Sequence, residues 1–127
     1  MKTIKAIVVD ADGTLLNNHH QIMPETKEAL IKAQQHGIKL IVASGRSLRR
    51  LLDIQAELEM DKYQGLLIAY NGSQAMNCQT KEIIYNQPLS ISEGKAVLSH
   101  LKQFDVYPMI DKDDYMYLTD VFAPPVH

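Results

Sequence analysis

Asp10 and Asp12 stand two residues apart, directly after the apolar run Ile7-Val8-Val9 and directly before Gly13-Thr14. Two neighbouring carboxylates repel one another and resist desolvation, so a strand end that carries both calls for a cation or a phosphoryl group in transfer. Asp and Gly are also common turn formers. The full Asp-x-Asp-Gly-Thr run at the end of a first strand asks for more than a turn. A second group of chemical interest is Ser44-Gly45-Arg46, which follows the apolar run Ile41-Val42-Ala43. A hydroxyl there ends a strand, and the free N–H groups of a helix starting just after it would form an anion site. Asn71-Gly72 closes a third apolar run, Leu66-Leu67-Ile68-Ala69.

The elements that must position these groups follow from the patterning. Residues 4–9 are nearly all apolar and read as a parallel strand covered on both faces. Pro24 suits the first position of a helix with Glu25 and Glu28 in its opening turns, Leu30 and Ala33 on its buried stripe, and Gly37 at its end. Residues 38–43 read as a second buried strand. Ser47 is placed to cap a second helix with Leu48, Leu51, Leu52 and Leu58 on one side. Residues 66–69 read as a third strand. Strand, helix, strand, helix, strand implies two right-handed crossovers and a parallel sheet. Beyond Asn71-Gly72, residues 73–76 and 83–85 read as short strands around a polar turn. Ser90-Ile91-Ser92-Glu93 is a capping box; it opens a helix expected to turn Val97, Leu98, Leu101 and Phe104 inward. Residues 106–110 and 115–119 read as a hairpin around Asp111-Lys112-Asp113-Asp114. A boundary is expected near Pro88.

Composition narrows the function classes. The 127 residues fit one small domain, 46% are apolar, and 13 basic against 15 acidic residues leave a net charge of −2. A core is feasible, and no electrostatic footprint for nucleic acid or an acidic membrane surface is present. The single cysteine, Cys78, excludes an internal disulfide. It fits a reducing compartment, and with neither a signal-peptide pattern nor a membrane-length apolar run a cytoplasmic protein is expected. His19 and His20 are adjacent and so point apart, which suits a solvated loop better than a metal site. Asp111, Asp113 and Asp114 lack the Gly and later Glu of a calcium loop and suit a hairpin tip. Tyr115 and Tyr117 suit core and strand-face positions better than base stacking.

The run from Asp10 to Thr14 resembles motif I of the haloacid dehalogenase superfamily of phosphotransferases. Ser44-Gly45-Arg46 and Asn71-Gly72 are similar to the Cof-like phosphatase branch, which carries an inserted α/β cap. The resemblance implies an α/β fold: a partial Rossmann-like parallel sheet over 1–87, including the hairpin that enters the cap, and an incomplete α+β cap over 88–127. It implies that Asp10 attacks phosphorus to form an aspartyl-phosphate, splitting one hard displacement into two easier ones. Asp12 would protonate the leaving oxygen and then activate water, a contribution of about 10²–10⁴-fold. It further implies phosphate binding by Thr14, Ser44, Gly45 and Arg46, substrate contact by Asn71, and Mg²⁺ at Asp10 and Asp12 with help from the Ala11 carbonyl. The substrate class implied is a small phosphorylated metabolite.

The family also uses a later lysine and an acidic pair at the end of a fourth strand, and neither motif is found in these 127 residues. Lys95 and Lys102 fall on the second-unit helix instead. The resemblance therefore implies an N-terminal fragment, inactive or weak alone, because Mg²⁺ demands near-octahedral oxygen coordination. A non-enzymatic remnant that binds a phosphate-bearing ligand or a partner is the other reading. A response-regulator-like phosphoacceptor would need an aspartate after the third strand, where Ala69-Tyr70-Asn71 stands. With the later core strands missing, the residue 4–9 edge is expected to stay bare and to drive homo-oligomer formation.

Overall fold

The computed structural model describes residues 3–112 and 115–118. It divides the chain into two compact units, Met1–Gln87 and Pro88–His127.

In the first unit the strands β1 (Ala6–Asp10), β2 (Lys39–Ala43), β3 (Leu66–Ala69), β4 (Gln74–Asn77) and β5 (Ile83–Asn86) form one sheet in the order β1-β2-β3-β4-β5. The first three pair in parallel, with Val8 opposite Ile41 and Ile41 opposite Leu66. β3 to β4 and β4 to β5 are antiparallel, so the sheet is mixed, and the short strands expected after Asn71-Gly72 extend it. The helices α1 (Pro24–Gln35) and α2 (Leu52–Glu57) fill the two crossovers.

Both helices lie on one face of the sheet. Successive right-handed crossovers stepping in one direction require this, and a buried hydrogen bond shows it: Gln34 Nε2 of α1 donates to the Leu58 carbonyl at the end of α2, at 2.8 Å. Leu40, Val42 and Leu67 point into this layer and are almost wholly buried beside Leu51, Leu58 and Met60. The buried stripe of α1 is Leu30 and Gln34, one helical turn apart, with Ala33 only half-buried. Gln34 thus takes a core position that the apolar pattern assigned to Ala33.

The opposite face corrects the expectation for β1. Its exposure alternates, Ile7 and Val9 being half-buried while Val8 is 61% exposed. An apolar run allows covering on both faces, but the covering layer must come from another segment. Among the described residues none lies over Val8.

The start of the second helix also differs. A turn of 3₁₀ helix at Arg49–Leu51 precedes the six residues of α2, and no side chain caps either piece. Ser47 is 7% exposed and its Oγ finds no hydrogen-bond partner among the described residues. Its backbone carbonyl accepts from Arg50 N instead. The N-cap position falls to Leu48, so the Ser47 hydroxyl stands one residue out of register for capping.

The second unit holds α3 (Ile91–Leu101) and the antiparallel pair β6 (Met109–Lys112) and β7 (Tyr115–Leu118). The capping box is complete, with Ser90 Oγ accepting from Glu93 N and Glu93 accepting from Ser90 N at 2.8 Å. Hydrogen bonding with the Ser90 side chain, and then with its backbone N–H, holds the Glu93 carboxyl below its usual range. The expected inward face is not buried: Val97 is 48% and Phe104 54% exposed, Leu98 and Leu101 are half-buried, and Tyr115 and Tyr117 are exposed. Asp113, Asp114 and Thr119 lie outside the described residues.

Candidate active site

The carboxyl ends of β1, β2 and β3 bring the expected residues to one end of the sheet, where open parallel sheets bind ligands. Asp10 ends β1 opposite Ala43, the last residue of β2. Asp10, Ala43, Ser44, Gly45, Ile68, Asn71 and Gly72 line one shallow concavity of about 350 Å³.

Loop backbones fix this arrangement. After β1 the chain doubles back, with Leu15 N donating to the Asp10 carbonyl at 3.1 Å and Leu16 N to the Ala11 carbonyl at 2.9 Å. Leu15 and Leu16 are buried, which anchors the turn, and Gly13 takes a φ of +76° within it. Thr14 is exposed in that turn and is not among the residues lining the concavity. Past β2, the Arg46 N–H donates to Ser44 Oγ at 3.1 Å. The hydroxyl therefore accepts from its own loop and keeps its proton for an outside acceptor. Since the helix starts later than expected, the N–H groups near Ser44 belong to this turn and not to a helix end.

The β3 exit is held against the same loop. Tyr70 N donates to the Arg46 carbonyl and Asn71 N to the Ser44 carbonyl, at 2.9 and 3.2 Å. Tyr70, Asn71 and Gly72 have φ of +50°, +54° and +95°, the left-handed region. The approach is so close that a Cβ on Gly45 would lie 2.9 Å from Asn71 Oδ1. A side chain at 45 would therefore displace the Asn71 carboxamide from its place in the concavity.

Asp12 and Arg46 face each other. Arg46 Nε and Nη2 grip both carboxylate oxygens of Asp12, at 2.8 and 2.5 Å, in a bidentate pair. His20 Nδ1 stands 3.9 Å from Asp12 Oδ1. The hydrogen bond from Arg46 is the main reason that the Asp12 carboxyl lies below its usual value, partly opposed by desolvation. Sequence reasoning missed both partners. Arg46 is 34 residues away, and His20 carries no local signal beyond its place in the same turn region.

The donor set was weighed against Mg²⁺. Both oxygens of Asp12 are held by Arg46, and no group of three His, Cys, Asp or Glu side chains able to hold a metal occurs among the described residues. Asp10 with main-chain carbonyls falls short of the octahedral oxygen shell that Mg²⁺ requires. These residues do not fit a resident Mg²⁺.

Comparison with known proteins gives the family and the fold. Residues 7–123 match the haloacid dehalogenase-like hydrolase family, and the chain belongs to it. Among curated relatives, the 5-amino-6-(5-phospho-D-ribitylamino)uracil phosphatase YcsE of Bacillus subtilis is 34% identical over 71 residues, 56% of this chain and 27% of that one. The pyridoxal phosphate phosphatase YbhA of Escherichia coli is 25% identical over 114 residues, 90% of this chain and 41% of that one. A crystal structure of a haloacid dehalogenase-like hydrolase from Bacteroides thetaiotaomicron superposes with a TM-score of 0.87 at 28% identity, covering 94% of this chain and 45% of that one. The chain spans about a third of the length of the curated relatives it matches.

Proposed function

We propose that this chain carries the nucleophile and phosphate-recognition half of a phosphatase site for small phosphorylated metabolites. The observation that carries the reading is the shared concavity of Asp10, Ser44, Gly45 and Asn71 at the carboxyl end of three parallel strands. The named phosphatases among its relatives support it.

On this reading a phosphoryl group sits between Asp10 and Ser44. The Ser44 hydroxyl donates to a phosphoryl oxygen, and Asn71 borders the substrate. An Asp10 oxygen forms a bond to phosphorus as the bond to the leaving oxygen breaks, and the electron pair departs with that oxygen. Asp12, when protonated, supplies its proton, and afterwards takes one from the water that attacks phosphorus and frees Asp10. Arg46 holds Asp12 and keeps it ionised, so Asp12 serves as an acid only once that pair loosens. Arg46 reaches phosphate on the same condition, and Thr14 does so only if its turn moves. Mg²⁺ chemistry, which the family uses, requires donors beyond the described residues.

The partners on this reading are a phosphorylated metabolite and, through the β1 edge, a second copy of the chain. The setting is cytoplasmic. Cys78 is fully buried, with its thiol pushed up to about 11 by desolvation, and no described helix is long and apolar enough to cross a membrane.

Titration of ¹⁵N-labelled chain with inorganic phosphate tests the site. The amides of Ser44, Gly45 and Asn71 should shift together, and Ser44→Ala should suppress the shift. Shifts scattered over the surface, or none at tens of millimolar phosphate, would overturn the reading. Turnover of a general phosphate ester by this chain alone should be at background, and Asp10→Asn should not change it. Robust Mg²⁺-dependent hydrolysis lost in that variant would show the half-site to be a whole one.

A further inference from the structure

Asp12 has more donors and cations around it than its one charge requires. Arg46 already meets that charge with a bidentate pair. His20 Nδ1 stands 3.9 Å from Asp12 Oδ1. Arg50 is near as well: after the Arg46 hydrogen bond, the charges of Arg46, His20 and Arg50 all act to lower the Asp12 carboxyl, against desolvation. Among the described residues nothing forms a hydrogen bond or an ion pair with the Arg50 guanidinium. A cation left over beside a ligand concavity attracts an anion from the ligand.

Backbone bonds hold both side chains in this region. Arg50 follows Arg46 by four residues, on the chain that leaves the concavity after Ser44 and Gly45. Arg50 N donates to the Ser47 carbonyl at 3.1 Å and Leu51 N to the Leu48 carbonyl at 3.0 Å. Leu51 is fully buried and anchors this turn, while Arg50 is exposed. His20 comes from a different loop, the one after Asp12. Asn17 Oδ1 accepts from His19 N and Gln21 N, at 2.8 and 3.0 Å, and His20 N donates to the Asn17 carbonyl at 2.9 Å. That staple keeps His20 at a φ of +57°, a conformation that a residue with a side chain holds only where its surroundings impose it.

We propose that Arg50 and His20 form a subsite for a second anionic group, so that the substrate is a small phosphorylated metabolite bearing a carboxylate or another phosphate near the group that is transferred. This rests on the phosphate-site reading above and names its substrate class. With the phosphoryl group between Asp10 and Ser44, the second anion lies toward Arg50, past the Arg46–Asp12 pair. That pair is neutral as a whole, so Asp12 does not repel the incoming group, and Arg50 supplies the surplus positive charge. A guanidinium matches a carboxylate or phosphate with two parallel N–H donors. The His20 imidazole adds one more donor. A neutral hydroxyl in the same place gains none of the ionic part.

Phosphoglycolate and ethyl phosphate differ only in a carboxylate against a methyl group, and so separate the two subsites. In titrations of the ¹⁵N-labelled full chain at matched ionic strength, both should shift the Ser44 and Gly45 amides. Phosphoglycolate should bind about fivefold more tightly, the upper end for an exposed ion pair, and it alone should shift the Arg50 Nε–Hε resonance. Arg50→Gln should remove the preference with little change for ethyl phosphate. Lys39→Gln removes the same charge at the opposite end of β2 from Ala43 and should keep the preference. Equal affinity for the two ligands, a preference that survives Arg50→Gln or is lost equally in Lys39→Gln, or an Arg50 resonance that ignores phosphoglycolate would overturn the subsite and leave the phosphate site standing. If neither ligand moves Ser44 and Gly45, the phosphate-site reading falls and the subsite falls with it.

Discussion

Replacing Gln34 by Glu tests the packing that puts α1 and α2 on one face. The two side chains are nearly isosteric, so the change is one of charge and donors. In the parent, Gln34 is 3% exposed and its Nε2 donates to the Leu58 carbonyl at 2.8 Å. A carboxylate in that place donates nothing and faces a carbonyl oxygen. Burial raises a carboxyl pKa by up to about 3–5 units. Gln34 also borders a crevice of about 210 Å³, so a rise of about 2–3 units is the better figure, and each unit corresponds to about 1.4 kcal/mol. The folded value is raised, so the stability is fully present below the unfolded glutamate value of about 4.3 and is lost as pH rises through the folded one. The protonated acid can donate its O–H to Leu58. Gln34→Glu should therefore match the parent near pH 4 and fall about 3–4 kcal/mol below it by pH 8, a large part of the roughly 5–15 kcal/mol available to a domain. Urea unfolding of both proteins at the two pH values reads the difference. Equal midpoints at pH 8 would mean that Gln34 is not enclosed between the helices.

Arg46→Met should lower stability at neutral pH by about 0.5–1 kcal/mol, a figure held down because the Asp12 side chain is 49% exposed and the pair is screened. Arg46 depresses the Asp12 carboxyl, so this stabilisation is present above the unfolded aspartate value of about 3.9 and is lost as pH falls through the folded one. The parent and variant should converge in urea midpoint as pH falls through the depressed Asp12 value, and a gap that persists once Asp12 is protonated would place the effect in packing. Ser47→Ala should leave stability unchanged or raise it by up to about 1 kcal/mol by removing a buried hydroxyl without a partner. A loss of about 1 kcal/mol in thermal or urea unfolding would restore the helix cap that the structure lacks.

The parallel strands were legible because Ile7-Val8-Val9, Ile41-Val42-Ala43 and Leu66-Leu67-Ile68 are unbroken apolar runs bounded by turn residues. The capping box at Ser90 was legible because its partners are three residues apart. Ser47 misled because capping depends on register with the first helical turn, and a 3₁₀ turn at Arg49–Leu51 displaced that start. Val8 misled because hydrophobicity says what a residue would bury against, not whether a covering segment is there. Asp10, Ser44 and Asn71 each sit just past an apolar run, so their meeting at one sheet end followed from topology. The grip of Arg46 on Asp12 did not, because it joins two loops 34 residues apart and is settled by side-chain rotamers.

The left-handed trio at Tyr70, Asn71 and Gly72 bears on how this segment tolerates sequence drift. A tyrosine at positive φ costs more than the asparagine or glycine that follows it, and such a conformation persists only where its surroundings impose it. Here the imposing bonds run to the Ser44 and Arg46 carbonyls, groups that every amino acid possesses. The β3 side of the concavity is thus inherited as a backbone path. Side chains at 44 and 46 can change without erasing that path. At 70, 71 and 72 the path itself filters replacements: β-branched residues are excluded, asparagine, aspartate and glycine are admitted, and the tyrosine is kept at a standing cost.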